Sequence, residues 1–210
     1  MSVNPNQEGV AGSVRPGAKP AIPSRALEWL WQHLSTVSHP QILDCGSVRQ
    51  ATVDALLGRG SKVYLADILT PVRRAEAALW DRSGKHPVFL LDELLKQLPD
   101  IPPASLSAVF CWHLLDLIPR DSLSALVARL YSFLAAGGVL YGFLREPYLA
   151  QGAEADWWLE TLTALGNTGE GREPFPYPVL TNREMERLLP SGSVKTFLTR
   201  SGRREVLAFK

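Results

Sequence analysis

The chain has 210 residues, 46% of them hydrophobic and 20% charged, with a formal net charge of +1. That is one domain of ordinary size with enough apolar material for a core, and it lacks the basic excess of a general nucleic-acid binder. The two cysteines, Cys45 and Cys111, exclude a disulfide scaffold and a four-cysteine zinc site. No run approaches the roughly 18 apolar residues of a membrane span, and the N-terminus lacks the apolar core of a signal peptide, so the expected compartment is the cytoplasm.

Residues 1–23 are rich in Pro, Gly, Ser, Asn and Ala without apolar periodicity. Such a segment buries too little surface to offset its ordering entropy, and a loosely held tail is expected, with the domain proper over 24–210. Ser24 is placed to cap a helix whose stripe is Leu27, Leu30, Trp31 and Leu34. A regular alternation follows. Gln41 to Gly46 reads as a short buried strand, Arg49 to Leu57 as a helix stopped by Gly58 and Gly60, and Lys62 to Asp67 as a second strand. Pro71 suits the first turn of a second helix running to Trp80. His86 to Leu91 reads as a third strand, and Glu93 to Leu98 as a short helix.

Leu106 to Trp112 is the fourth strand and Arg120 to Ala135 a long helix. Ala136-Gly137-Gly138 turns into a fifth strand, Val139 to Leu144. The tryptophans and leucines of Asp156 to Leu165 fit a helical stripe. A Gly- and Pro-rich loop covers 166–178. Thr181 and Glu184 then form a capping box for a helix to Leu189. Val194 to Arg200 and Glu205 to Phe209 read as a hairpin turned by Ser201-Gly202. Arg200, Arg203 and Arg204 make a local basic patch, read most simply as solvated. Five rounds of strand and helix before a hairpin predict an α/β domain: a seven-stranded, mainly parallel Rossmann-like sheet, covered by helices on both faces, with a C-terminal antiparallel hairpin.

Several segments resemble the class I S-adenosylmethionine-dependent methyltransferases, over Gln41 to Lys210. Ile42-Leu43-Asp44-Cys45-Gly46 is similar to that family's first motif. Asp67 ends the second strand 23 residues after Asp44, where the family's acidic residue binds the cofactor ribose. A carboxylate beyond the second strand serves dinucleotide-binding sheets in the same way. Asp92 follows the third strand, where the family places a polar residue against adenine. Leu134-Ala135-Ala136-Gly137-Gly138 resembles the turn into strand five, and Thr181 to Met185 the late helix start. The resemblance implies S-adenosylmethionine as cofactor, with Asp44, Gly46, Asp67, Asp92 and Trp112 as candidate cofactor-binding residues and a small-molecule acceptor. It departs at Val48 and Gln50, where the family has further glycines that let backbone approach a ligand, and at Ser107, where it has an aspartate.

Each candidate has a plainer reading. Asp67 can be a solvated strand end, and Asp92 the cap of the helix after it. His113 follows strand four, at the sheet edge where open α/β folds work. It is the candidate catalytic base, although a lone histidine is more often structural. Trp112 can stack on adenine or close the core. Cys45 and Cys111 end strands one and four, which the fold makes neighbours, with Cα atoms expected within about 10 Å. They read as small buried hydrophobes. Glu146, Tyr148, Trp157 and Trp158 follow strand five, where the resembled family walls its acceptor pocket. Two functions stay open: a methyltransferase on a small molecule, and a non-catalytic methyltransferase-like protein that uses the fold to bind a protein partner.

Overall fold

The computed structural model describes residues 20–145, 156–168, 176–189, 193–199 and 203–210. A two-residue strand, β1 (Ile22–Pro23), leads into α1 (Arg25–His33). Ser24 caps this helix: its Oγ accepts the Leu27 N–H at 3.0 Å, satisfying one free amide of the first turn. β2 (Gln41–Asp44), α2 (Gln50–Gly58) and β3 (Lys62–Leu65) follow close to their expected bounds.

Beyond β3 the chain departs from expectation. The helix predicted to Trp80 is only α3 (Leu69–Arg73), followed by a 3-10 turn at Ala77–Leu79. Between them Ala75 sits in the left-handed region at φ 47°, which ends a right-handed helix. Trp80–Asp81 (β4) pairs antiparallel with Val88–Phe89 (β5) in a ribbon separate from the main sheet. The expected third strand therefore stays outside that sheet. Pro87 denies it a ladder donor at its start, and Val88 is exposed while Phe89 packs on Trp80.

α4 (Leu91–Leu95) precedes the fourth predicted strand, β6 (Leu106–Trp112). A short helix missed in the sequence, α5 (Leu114–Leu117), then leads into α6 (Arg120–Phe133) and β7 (Leu134–Arg145). The Gly137-Gly138 turn is an irregularity within β7. Gly137 has φ 74°, and a Cβ on Gly138 would lie 2.9 Å from the Leu106 and Ala135 carbonyls.

The helix expected over Asp156 to Leu165 is a hairpin instead, β8 (Trp157–Thr161) and β9 (Ala164–Asn167). Trp157 and Leu159 are buried while Glu160 is exposed, a period of two. The Leu159 N–H donates to Thr52 Oγ1 at 3.0 Å, tying β8 to α2, and β9 pairs with β1. Gly166 and Asn167, expected in a loop, belong to β9; residues 169–175 lie outside the described residues.

The C-terminal segment follows the sequence closely. α7 (Asn182–Leu188) carries the Thr181–Glu184 capping box. β10 (Val194–Leu198) and β11 (Arg203–Phe209) pair antiparallel. The basic patch needs correction. Arg204 is buried, bonded to the Arg145 and Leu180 carbonyls and to Asn182, and Arg200 lies outside the described residues.

The main sheet has six strands, ordered β10-β11-β7-β6-β2-β3. Strands β7, β6, β2 and β3 are mutually parallel, while β11 is inserted antiparallel between β7 and β10. It is thus mixed and one strand short of the expected seven. Asp44 lies opposite Phe110, so Cys45 and Cys111 face each other across one strand spacing, about 4.8 Å. Both thiols are free and buried, and burial pushes Cys111 up to about 12 and Cys45 upward too.

Candidate functional site

The carboxyl ends of β2, β3, β6 and β7 meet at one edge of the sheet, the place where open α/β folds carry their ligands. Asp44 closes β2 there and is 2% exposed. Its Oδ1 accepts the Gly46 N–H at 3.0 Å and the Trp112 indole N–H at 2.6 Å. Burial pushes its pKa up to about 6, against the pull of those two donors, and the neighbouring charge of Asp67 adds to the rise.

Trp112 reaches Asp44 through an irregular backbone. The β6–β7 register shifts between Phe110 and Trp112, and Trp112 itself has φ 49°. A bulge re-aims a side chain in this way, at a cost in backbone strain. The buried indole lies against Gly46, where an added Cβ would meet its Cδ1 and Nε1 at 2.5 Å. The glycine legible in the sequence therefore makes room for the chain's own tryptophan.

Aromatic rings complete the enclosure. Phe143 on β7 stacks with Trp112 at 6.1 Å and with His113 at 5.1 Å, and tilts against Trp157 at 5.1 Å. His113 is buried at the start of α5.

Asp67 has both oxygens engaged by one residue: Oδ1 accepts the Thr70 N–H at 2.9 Å and Oδ2 the Thr70 hydroxyl at 2.8 Å. Thr70 also meets the Ser47 hydroxyl at 2.9 Å. Asp67 thus organises the entry to α3. Asp92 is exposed in the first turn of α4, its charge acting on Lys96 one turn on. It is not the cap, a position held by Leu90. Val48 is 56% exposed and Gln50 bonds Asp54 along α2. Asp44, Gly46 and Trp112 are brought into direct contact, with Asp67 near enough to act on Asp44. Glu146 and Tyr148 lie outside the described residues.

Two features had no sequence signal. Asp156 bridges Arg49, at 3.2 Å, and Arg73, joining the starts of α2 and β8 to the end of α3, while Arg49 lies over Trp158 at 5.1 Å. Asp116 is buried with Oδ2 accepting the Arg145 N–H at 2.8 Å. Burial pushes its pKa up to about 6, opposed by that N–H and by the charges of Arg145, Arg204 and Arg120. Residues so far apart in the chain form no pattern that spacing reveals.

S-adenosylmethionine does not fit the residues as they are arranged. The backbone it would approach at Gly46 is covered by the Trp112 indole, whose N–H is on Asp44. Among the described residues no group of three or more His, Cys, Asp or Glu side chains is placed to hold a metal ion, and no helix is long and apolar enough to cross a membrane.

No protein-family model and no curated protein matches the sequence. Among solved structures the chain is similar to an S-adenosylmethionine dependent methyltransferase from Mesorhizobium loti, at 16% identity over 89% of this chain and 99% of that one, TM-score 0.48. It is similar also to a SAM-dependent methyltransferase from Methanosarcina mazei, at 18% identity over 85% and 96%, TM-score 0.45. A third is the 1,6-didemethyltoxoflavin-N1-methyltransferase of Burkholderia thailandensis, solved with 1,6-didemethyltoxoflavin and S-adenosylhomocysteine, at 16% identity over 87% and 74%, TM-score 0.43. Likeness at this level concerns the path of the chain and says nothing of its chemistry. The fold is a Rossmann-like sheet of the class I methyltransferase kind, resting on its own strand order, with β11 inserted beside β7 and the third strand displaced.

Proposed function

We propose that this chain is a non-catalytic methyltransferase-like protein that keeps the fold as a scaffold for binding a protein partner. The observation that carries the non-catalytic part of the reading is the contact of Trp112 with Gly46 and Asp44, which places the protein's own indole at the sheet edge. Opening it requires breaking a buried bond to a carboxylate and unstacking Phe143, which together oppose a ligand by several kcal/mol on the order of the usual charge-assisted bond and aromatic contact.

A thermal-shift titration tests this. A ligand at 100 times its dissociation constant stabilises by about 2.7 kcal/mol, so millimolar S-adenosylmethionine or S-adenosylhomocysteine should move the melting temperature of a cofactor-binding protein by several degrees. No shift is expected here.

One observation favours the second reading, a methyltransferase acting on a small-molecule acceptor: Asp67 stands at the end of β3 close enough to Asp44 to raise its pKa. In that reading Asp44, Gly46 and Asp67 hold the cofactor after Trp112 has moved away, and His113 serves as a base for an acceptor that must lose a proton. A thermal shift that appears in the wild type and is abolished by Asp67→Ala would support it by showing a cofactor site that uses Asp67.

A further inference from the structure

The chemistry around Trp112 is that of a ligand pocket, with the ligand supplied by the chain. A planar bicyclic ring is held between aromatic walls: Phe110 at 5.8 Å, Tyr141 at 5.9 Å and Phe143 stacked at 6.1 Å. One edge donates to a buried carboxylate oxygen at 2.6 Å, and one side lies against a residue with no Cβ to obstruct it. Binding pockets are built the same way, with apolar and aromatic walls and one or two placed polar groups. Regular core packing does not need the rest of the arrangement. The register shift and the left-handed φ of Trp112 are costs borne to put the indole here, and an ordinary core aromatic on a regular strand would incur neither.

We infer that the crevice is a self-occupied binding site for a planar heteroaromatic N–H donor, with the Trp112 side chain as its internal ligand and Asp44 Oδ1 as the group that reads the N–H. The inference rests on the closure described above and deepens it: Trp112 is the side chain that takes both the Asp44 oxygen and the space beside Gly46. Removing the indole then leaves a cavity of matching shape and polarity. Glycine at position 112 also accepts the left-handed backbone without strain. Phe143, the buried aromatic stacked on the indole, carries no donor and has no partner like Asp44, so removing it does not create a site selective for an N–H.

The test is to add free indole to the full chain carrying Trp112→Gly, and to compare it with benzofuran, which has the same outline and an oxygen in place of the N–H. Thermal shift and calorimetry should show indole binding to the variant and not to the wild type. Benzofuran should bind at least tenfold more weakly, the factor expected for a lost donor to a carboxylate. A folded variant that ignores indole, or one that takes both compounds equally, overturns the inference. So does a wild type that binds indole as tightly as the variant. If Trp112→Gly does not fold, Gly46→Ala supplies the second arm. The chain is labelled with 5-fluorotryptophan, and the Trp112 resonance is identified by its loss in Trp112→Phe. The new methyl group should displace the indole and shift that resonance toward its solvent-exposed position, and an unmoved resonance overturns the inference. Binding of S-adenosylhomocysteine by the wild type would refute the non-catalytic reading separately, because the indole experiment is read on the variant.

Discussion

Asp44→Asn isolates the charge at the centre of the site. Asparagine keeps an oxygen for the Trp112 and Gly46 donors and removes the ionisation. In the native state the Asp44 pKa stands at about 6, against 3.8 for the free group. The native state therefore holds its proton more tightly than the unfolded chain. The associated stability is fully present below about pH 3.8 and is lost as the pH rises through about 6. That rise corresponds to about 3 kcal/mol in all, of which about 2 kcal/mol falls between pH 4.5 and 8. The asparagine amide adds a desolvation cost of about 1–3 kcal/mol that does not vary with pH, so the slope is the informative quantity. Urea denaturation across that range should show the variant gaining about 2 kcal/mol relative to the wild type from the acid end to the alkaline end. Asp116 titrates in the same window and remains in both proteins, so it cancels in the difference. Parallel stability curves for variant and wild type would refute the buried, self-occupied environment assigned to Asp44.

Trp112→Phe keeps a ring against Phe143 and deletes the indole donor. It should destabilise by about 1–3 kcal/mol in chemical denaturation and, by removing a bond that lowers the Asp44 pKa, move the midpoint of that residue's pH dependence upward. Ser24→Ala removes both the α1 cap and a hydroxyl donor to the buried Glu205 carboxylate, and a loss of about 1–2 kcal/mol is expected in the same assay. Thr181→Ala breaks the capping box of α7 and should cost about 1 kcal/mol, while Thr181→Ser should restore most of it.

The order of β2, α2, β3, β6, α6 and β7 was readable because each element has a clear period and a clear stop, and the Ser24 and Thr181 caps because capping is local chemistry. Where the structure departs from the sequence pattern, the causes are physical. Trp157, Trp158, Leu159, Leu162 and Leu165 satisfy a helical stripe, yet Trp157 and Leu159 share the buried face of β8, where Thr52 on α2 accepts the Leu159 amide, and Leu162 falls in the turn before β9. A tertiary contact chose between two periods that the sequence allowed. His86 to Leu91 has strand composition, but only Val88–Phe89 pairs, and it pairs with Trp80–Asp81 rather than with the main sheet, a local partner that spacing does not reveal. At the site, the spacing of Asp44 and Gly46 was visible and what fills the space beside them was not. Trp112 lies 66 residues beyond Gly46, and its direction depends on a bulge and a left-handed φ that no sequence pattern announces. Val48, where the resembled family has a glycine, is exposed, and the side chain against Gly46 is that of Trp112.

The most direct measurement is a calorimetric titration of the full-length wild type with S-adenosylhomocysteine to millimolar concentration. With Trp112 on Asp44 and against Gly46, no saturable heat is expected. A stoichiometric isotherm lost in Asp67→Ala would contradict the closed crevice and show a cofactor site that uses Asp67.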